Sequence, residues 1–297
     1  MQATLMNTSS DTHTSDFAVP AAGLGGAFIH QQGKLMVCLD VDGTLVDHDG
    51  HMSEAVKQSA RAVVGDGHTV VVSTGRSLPA TLPIIEALGV THGYAVCSNG
   101  GVTVRIDVDL PDGHEVLDRR VFDPAPALDA LAEQLPYAKY AIETDDGGFL
   151  STQRFQDMSF GLQARGTSFR EMRAARAVRL VVNSDDATSE EFAAAVEGIG
   201  LHGVTYSVGW SAWLDIAAAG VTKASSLEAL RDQLAVPERM TLACGDGRND
   251  LEMLRWAARG VAMGQAPEEV KEASDEVTGT VWEDGLVEVL TSVLTVE

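Results

Sequence analysis

Four short apolar runs in this chain each end abruptly in a polar cluster, and this repetition restricts the fold more than any other feature. Leu35–Leu39 runs into Asp-Val-Asp-Gly-Thr at 40–44, and Thr69–Val72 into Ser-Thr-Gly-Arg at 73–76. Tyr94–Cys97 meets Ser-Asn-Gly-Gly at 98–101, and Met240–Cys244 meets Gly-Asp-Gly-Arg-Asn-Asp at 245–250. Gly260–Ala262 is a further apolar run. Unbroken rather than alternating hydrophobicity predicts strands covered on both faces. Helical patterns separate them, over Ser53–Val64, Leu78–Leu88, Ser225–Leu234, Asp250–Ala258 and Gly285–Leu294. Strand–helix alternation of this kind predicts an α/β fold with a doubly wound parallel sheet. In such a sheet ligands gather outside the carboxyl ends of the strands, so the four clusters are expected to share one edge.

The middle of the chain has a different texture. From about Gly101 to Trp213, alternating segments such as "VTVRIDV", "HEVLDRRVF" and "AVRLVVN" surround two amphipathic patterns, "PALDALAEQL" and "TSEEFAAAVEGI". Alternation suits an antiparallel sheet open on one face. Because parallel-type runs resume afterwards, the segment reads as an inserted α+β module. The expected division is a polar tail over 1–33, a core formed by 34–118 and 213–297, and an insertion over 119–212.

Charge narrows the function classes. A net charge of −22 disfavours nucleic acid as a partner, since phosphate backbones are met by Lys and Arg. No apolar run is long enough to span a membrane. The first 33 residues hold neither Lys nor Arg and so lack the basic start of a signal peptide. Cys38, Cys97 and Cys244 are too few and too scattered for a disulfide framework and are expected to be buried thiols, which points to the cytoplasm.

Asp40 and Asp42 pose the chemical question. A spacing of two would place both carboxylates on one side of an extended strand, where they repel each other. A hard divalent cation offsets that repulsion, and Mg²⁺ takes carboxylate oxygens together with substrate phosphate. Asp246 and Asp250, from another strand on the same edge, would add to the negative charge. Ser73, Thr74 and Gly75 form a turn whose hydroxyls and N–H groups suit phosphoryl oxygens. Lys223, in "AGVTKASSLEAL", could neutralise a transferring phosphoryl group. Trp210 and Trp213 read as packing at the module boundary, and Arg154, Arg165 and Arg170 as arginines of the insertion without a spacing that marks a site.

Taken in order, "DVDGT", "STGR", Lys223 in "GVTK" and "GDGRND" resemble the haloacid dehalogenase superfamily, specifically its Cof-type (subfamily IIB) phosphatases, which carry an α/β cap domain. "SNGG" is similar to another segment of that branch. The resemblance spans about Leu35 to Glu283, with Ala224 after the motif lysine where relatives often have Gly. It implies Asp40 as nucleophile, Asp42 as general acid and then base, and Lys223 with Ser73, Thr74, Gly75 and Asn249 around the phosphoryl group. It also implies Mg²⁺ held by Asp40, the backbone carbonyl of Asp42 and Asp246, with Asp250 supporting from behind. The insertion would be the cap, and the expected partner is a small phosphorylated metabolite such as a sugar phosphate or phosphorylated cofactor, met by a monomer or dimer. The alternatives are a phosphotransferase or phosphomutase of the same superfamily, and a catalytically weak regulatory member.

Overall fold

The computed structural model describes residues 33–153, 164–185, 188–208 and 212–295; the proposed tail, Arg154 and Trp210 therefore lie outside the described residues, the tail except for Gly33. In chain order the strands of the larger sheet are β1 (Met36–Leu39), β2 (Thr69–Ser73), β3 (His92–Cys97), β4 (Val102–Asp107) and β5 (His114–Arg119). Those of the smaller sheet are β6 (Lys139–Thr144), β7 (Phe149–Ser151), β8 (Arg165–Gly166), β9 (Ala177–Asn183), β10 (Val204–Val208) and β11 (Trp213–Ala218). The larger sheet is completed by β12 (Thr241–Gly245), β13 (Arg259–Ala262) and β14 (Glu276–Val277). The helices are α1 (Glu54–Gly65), α2 (Leu78–Leu88), α3 (Ala125–Gln134), α4 (Phe169–Ala174), α5 (Ser189–Ile199), α6 (Lys223–Gln233), α7 (Leu251–Trp256), α8 (Glu268–Lys271) and α9 (Gly285–Thr291).

The larger sheet runs β14-β13-β12-β1-β2-β3-β4-β5. Its first six strands are parallel, whereas β4 and β5 fold back antiparallel at one edge. Every residue of β1 is buried, because apolar side chains cover both faces of the sheet. Register positions the polar clusters: Leu39 pairs with Val72 on one side and Cys244 on the other, so Asp40, Ser73 and Gly245 follow at neighbouring strand ends. The helices begin where local chemistry predicts. Ser53 caps α1 by accepting from the Val56 N–H, and Thr222 caps α6 by accepting from that of Ser225.

The smaller sheet runs β10-β11-β9-β6-β7-β8 and is antiparallel except for the β7–β8 pair. One face packs Ile142, Leu180, Val182, Leu214 and Ile216 against α3, α4 and α5. The alternate positions, among them Glu143, Arg179 and Asp215, point from the helix-free face. The alternating segments at Val102–Asp107 and His114–Arg119 belong to the larger sheet, in the span expected of the core, where an antiparallel edge gives the same alternation as the insertion. One feature departs from the sequence reading: β11 pairs with β9 and β10, so the smaller sheet continues past residue 212; "WLDIAA" is apolar enough to pass for a strand of either sheet. Among the described residues no helix is long and apolar enough to cross a membrane.

Candidate active site

Asp40 leaves β1 with its N–H donated to the Cys244 carbonyl, 3.0 Å away, and is buried to 5% exposure. The chain then turns at once: Thr44, Leu45 and Val46 all donate to the Val41 carbonyl. Regular strand geometry ends at Leu39, yet the Asp42 carboxylate stays close enough to add to the repulsion on Asp40. The side chain of Asp42 is 56% exposed and receives a two-point ion pair from Arg76, with Nε at 2.9 Å. Gly43 completes the turn at φ +85°, and a Cβ there would stand 2.1 Å from Oδ2 of Asp246.

The partners of Asp40 come from the far end of the chain. Nζ of Lys223, at the first position of α6, lies 2.6 Å from Oδ1 of Asp40 and 2.7 Å from Oδ1 of Asp250, with all three side chains buried. The other oxygen of Asp250 accepts from the backbone N–H groups of Asp246 and Gly247 at 3.0 and 2.9 Å. Oxygens of Asp40, Asp246 and Asp250 lie within 4.8 Å of one another. Burial and then Asp250 push the Asp40 carboxyl well above the usual carboxylate range, with Lys223 opposing. Burial and Asp250 likewise raise Asp246, to about 6. Lys223 stays firmly cationic: burial works against its charge, but the two carboxylates outweigh it.

The remaining clusters close on the same edge. Asn99 N–H donates to the Thr74 carbonyl and Ser98 N–H to that of Arg76, while Asn249 Nδ2 donates to Oδ1 of Asn99 at 3.0 Å. Ser98 and Asn99 both adopt positive φ, 52° and 51°, a strained backbone for residues with side chains. Thr74 accepts the Arg76 N–H. The buried hydroxyls of Ser73 and Thr44 have no hydrogen-bond partner among the described residues.

The family model for haloacid dehalogenase-like hydrolases matches residues 37–290. The chain belongs to that family. It is 27% identical over 300 aligned positions to the phosphatase YwpJ of Bacillus subtilis, covering 87% of this chain and 99% of the relative. It is 25% identical over 272 positions to the 5-amino-6-(5-phospho-D-ribitylamino)uracil phosphatase YitU of the same organism, covering 86% and 96%. A phosphatase of the superfamily from Bacteroides thetaiotaomicron superposes with a TM-score of 0.69 at 26% identity, covering 95% of this chain and 100% of the other. This haloacid dehalogenase-like hydrolase is a phosphatase of the Cof type, with a Rossmann-like core sheet and a second α/β unit.

Phosphatases of this superfamily use a divalent metal ion, and the donor set suits a hard one. Three buried carboxylates converge with a single lysine between two of them, and an oxygen-seeking cation would relieve their mutual repulsion. Sequence reasoning missed several neighbours of this site. Gln265 donates to the Gly43 carbonyl at 2.6 Å and to Oδ2 of Asp246 at 3.3 Å, tying the two loops together. Arg76 sat inside a motif, but nothing in the spacing assigned it to Asp42. Arg165 pairs with Glu171 and is exposed, as is Arg170, and neither lines the cavity beside the site. Arg179 and Asp215 line it instead, at positions where strand alternation allows either solvent or a ligand.

Proposed function

We propose that this protein is a Mg²⁺-dependent phosphatase of small phosphate monoesters that works through an aspartyl-phosphate on Asp40. The observation that carries the reading is Asp40 itself: a carboxylate buried at a strand end, with the Lys223 ammonium 2.6 Å from its oxygen. In the first step Asp40 attacks phosphorus and forms an oxygen–phosphorus bond as the ester P–O bond breaks. Asp42 donates its proton to the departing alkoxide. To reach it, Asp42 exchanges its Arg76 partner for the ester oxygen, a side-chain movement at an exposed position. In the second step water attacks phosphorus, Asp42 takes a proton from that water, and the bond to Asp40 breaks to release inorganic phosphate.

Lys223 holds the phosphoryl charge throughout, and Ser73, with its unpartnered hydroxyl, Thr74, Gly75 and Asn249 are assigned to its oxygens. Mg²⁺, held by Asp40, Asp246 and the Asp42 carbonyl with Asp250 behind them, would supply further positive charge to those oxygens. Residues 119–218 are assigned as the cap, and three free buried thiols support a reducing compartment such as the cytoplasm. The relative that dephosphorylates a ribitylaminouracil phosphate supports a small phosphorylated metabolite as substrate. The test is phosphate release from a panel of monoesters, with Mg²⁺ and with chelator, by wild type and Asp40→Asn. Release that needs Mg²⁺ and vanishes in the variant is expected; near-normal release by Asp40→Asn overturns the mechanism.

A further inference from the structure

A cavity of about 220 Å³ opens beside Lys223, Asn99 and Asn249, between the strands β10 and β11 and the helix α7. Its roof is the helix-free face of the smaller sheet. On β11, Leu214 and Ile216 are buried under the helices, which leaves Asp215 on the opposite face. Asp215 lines the cavity with a side chain 16% exposed. A carboxylate so nearly buried must be held, and it is held from both ends. Arg179 Nε donates to Oδ1 at 2.5 Å, and Trp213 Nε1 donates to Oδ2 at 3.0 Å.

We propose that Asp215 determines substrate specificity by accepting hydrogen bonds from hydroxyl groups on the leaving group of the phosphate ester. This inference rests on the phosphatase reading above and adds to it the chemical class of the leaving group. An ionised carboxylate only accepts, and each of its oxygens has about two lone-pair sites, so one protein donor per oxygen leaves capacity on both. Asp215 lines the cavity, so that capacity is within reach of a ligand bound there. A ligand filling that space with C–H groups would strip water from Asp215 and return nothing, whereas an O–H restores the lost bond.

A cationic leaving group would also satisfy a carboxylate, but Asp215 already pairs with the Arg179 guanidinium at 2.5 Å, and a second cation at the same carboxylate would face it. Neutral hydroxyls meet Asp215 without that repulsion. Ser207, directly across the strand pair from Asp215, offers a further hydroxyl to the same ligand. Arg179 and Trp213 are positioning residues here, since they fix the direction in which the carboxylate presents its lone pairs.

The experiment compares two esters of equal chain length, a hexitol 6-phosphate and n-hexyl phosphate, as a ratio of kcat/KM. Wild type is expected to favour the polyol ester, and Asp215→Asn to lower the ratio by about tenfold or more, mainly through KM of the polyol ester. Trp213→Phe, which loosens the carboxylate without removing it, should lower the ratio by a smaller factor, and it decides the matter if Asp215→Asn does not fold. A ratio within twofold of wild type in the folded variants overturns the proposal, even if both rates fall together. Calorimetric titration of Asp40→Asn with the same esters separates the two layers of the argument. Equal affinity for both esters overturns the role of Asp215, while failure of wild type to release phosphate from any ester overturns the phosphatase reading instead.

Discussion

Ser98 donates its hydroxyl to Glu143 at 2.6 Å, joining the end of β3 to the first strand of the smaller sheet through a contact that is buried on both sides. Burial pushes the Glu143 carboxyl above its ordinary 4.5, and the Ser98 bond, Arg179 and Arg119 offset only part of that. The folded protein therefore holds this proton at pH values where the unfolded chain has released it. Stability from Glu143 is complete below 4.5 and is lost as pH rises through its raised value. Glu143→Gln removes the titration. Urea unfolding of both proteins between about pH 4.5 and pH 7.5 should show the wild type losing ground to the variant as pH rises, by about 1.4 kcal/mol for each unit by which the group is raised. The opposite slope would mean that the two arginines dominate over burial.

Lys223 sits between Asp40 and Asp250 with no exposed side-chain surface. Lys223→Met leaves two buried carboxylates without their cation, and removing one partner of a buried ion pair typically costs about 3–5 kcal/mol. Denaturant unfolding in metal-free buffer at neutral pH should show a loss of that order together with loss of phosphate release. An unchanged midpoint would show that the carboxylates are protonated in wild type and need no counter-charge.

Asp246 contributes an oxygen to the carboxylate cluster and is raised to about 6 by burial and by Asp250, which outweigh Gln265 and Lys223. A ligand that binds only the folded state stabilises it by mass action. Millimolar Mg²⁺ should raise the melting temperature of wild type by several degrees, on the order of 5 °C. Asp246→Asn should show a much smaller rise at the same concentration. Equal rises would remove Asp246 from the metal site.

How far the sequence carries the reader depends on which kind of pattern is asked to speak. The strand ends at Asp40, Ser73 and Gly245 were legible because a strand buried on both faces is an unbroken apolar run, and its end is where polarity returns. Lys223 is 183 residues from Asp40, and only an ordered set of motifs, not spacing, could join them. The pairing of Asp42 with Arg76 was not legible, because it crosses from one strand end to the next and follows no periodicity of either segment. The last strand of the smaller sheet was assigned to the core because "WLDIAA" records apolarity but not which sheet covers it. Arg179 and Asp215 were invisible for a related reason: on a sheet with one helix-free face, alternation marks which residues leave the packed side but not whether they meet water or a cavity.

Gly43 and Gly50 offer a matched pair that separates backbone strain from crowding at the site. Both have positive φ, +85° and +80°, a region that costs a residue with a Cβ about 1–2 kcal/mol. They differ in surroundings. A Cβ on Gly43 would stand 2.1 Å from Oδ2 of Asp246, whereas one on Gly50 meets nothing within 4 Å. The Gly43 loop is also bound by Gln265, which bonds its carbonyl and Asp246 together, so the loop cannot retreat without releasing that contact. Gly50→Ala should therefore lose about 1–2 kcal/mol of stability and keep its melting response to Mg²⁺. Gly43→Ala should lose more, and its response to Mg²⁺ should fall because Asp246 is the atom group that has to move. Parallel behaviour of the two variants in the metal titration would show that Asp246 has room to shift, and that Gly43 is needed only for its backbone conformation.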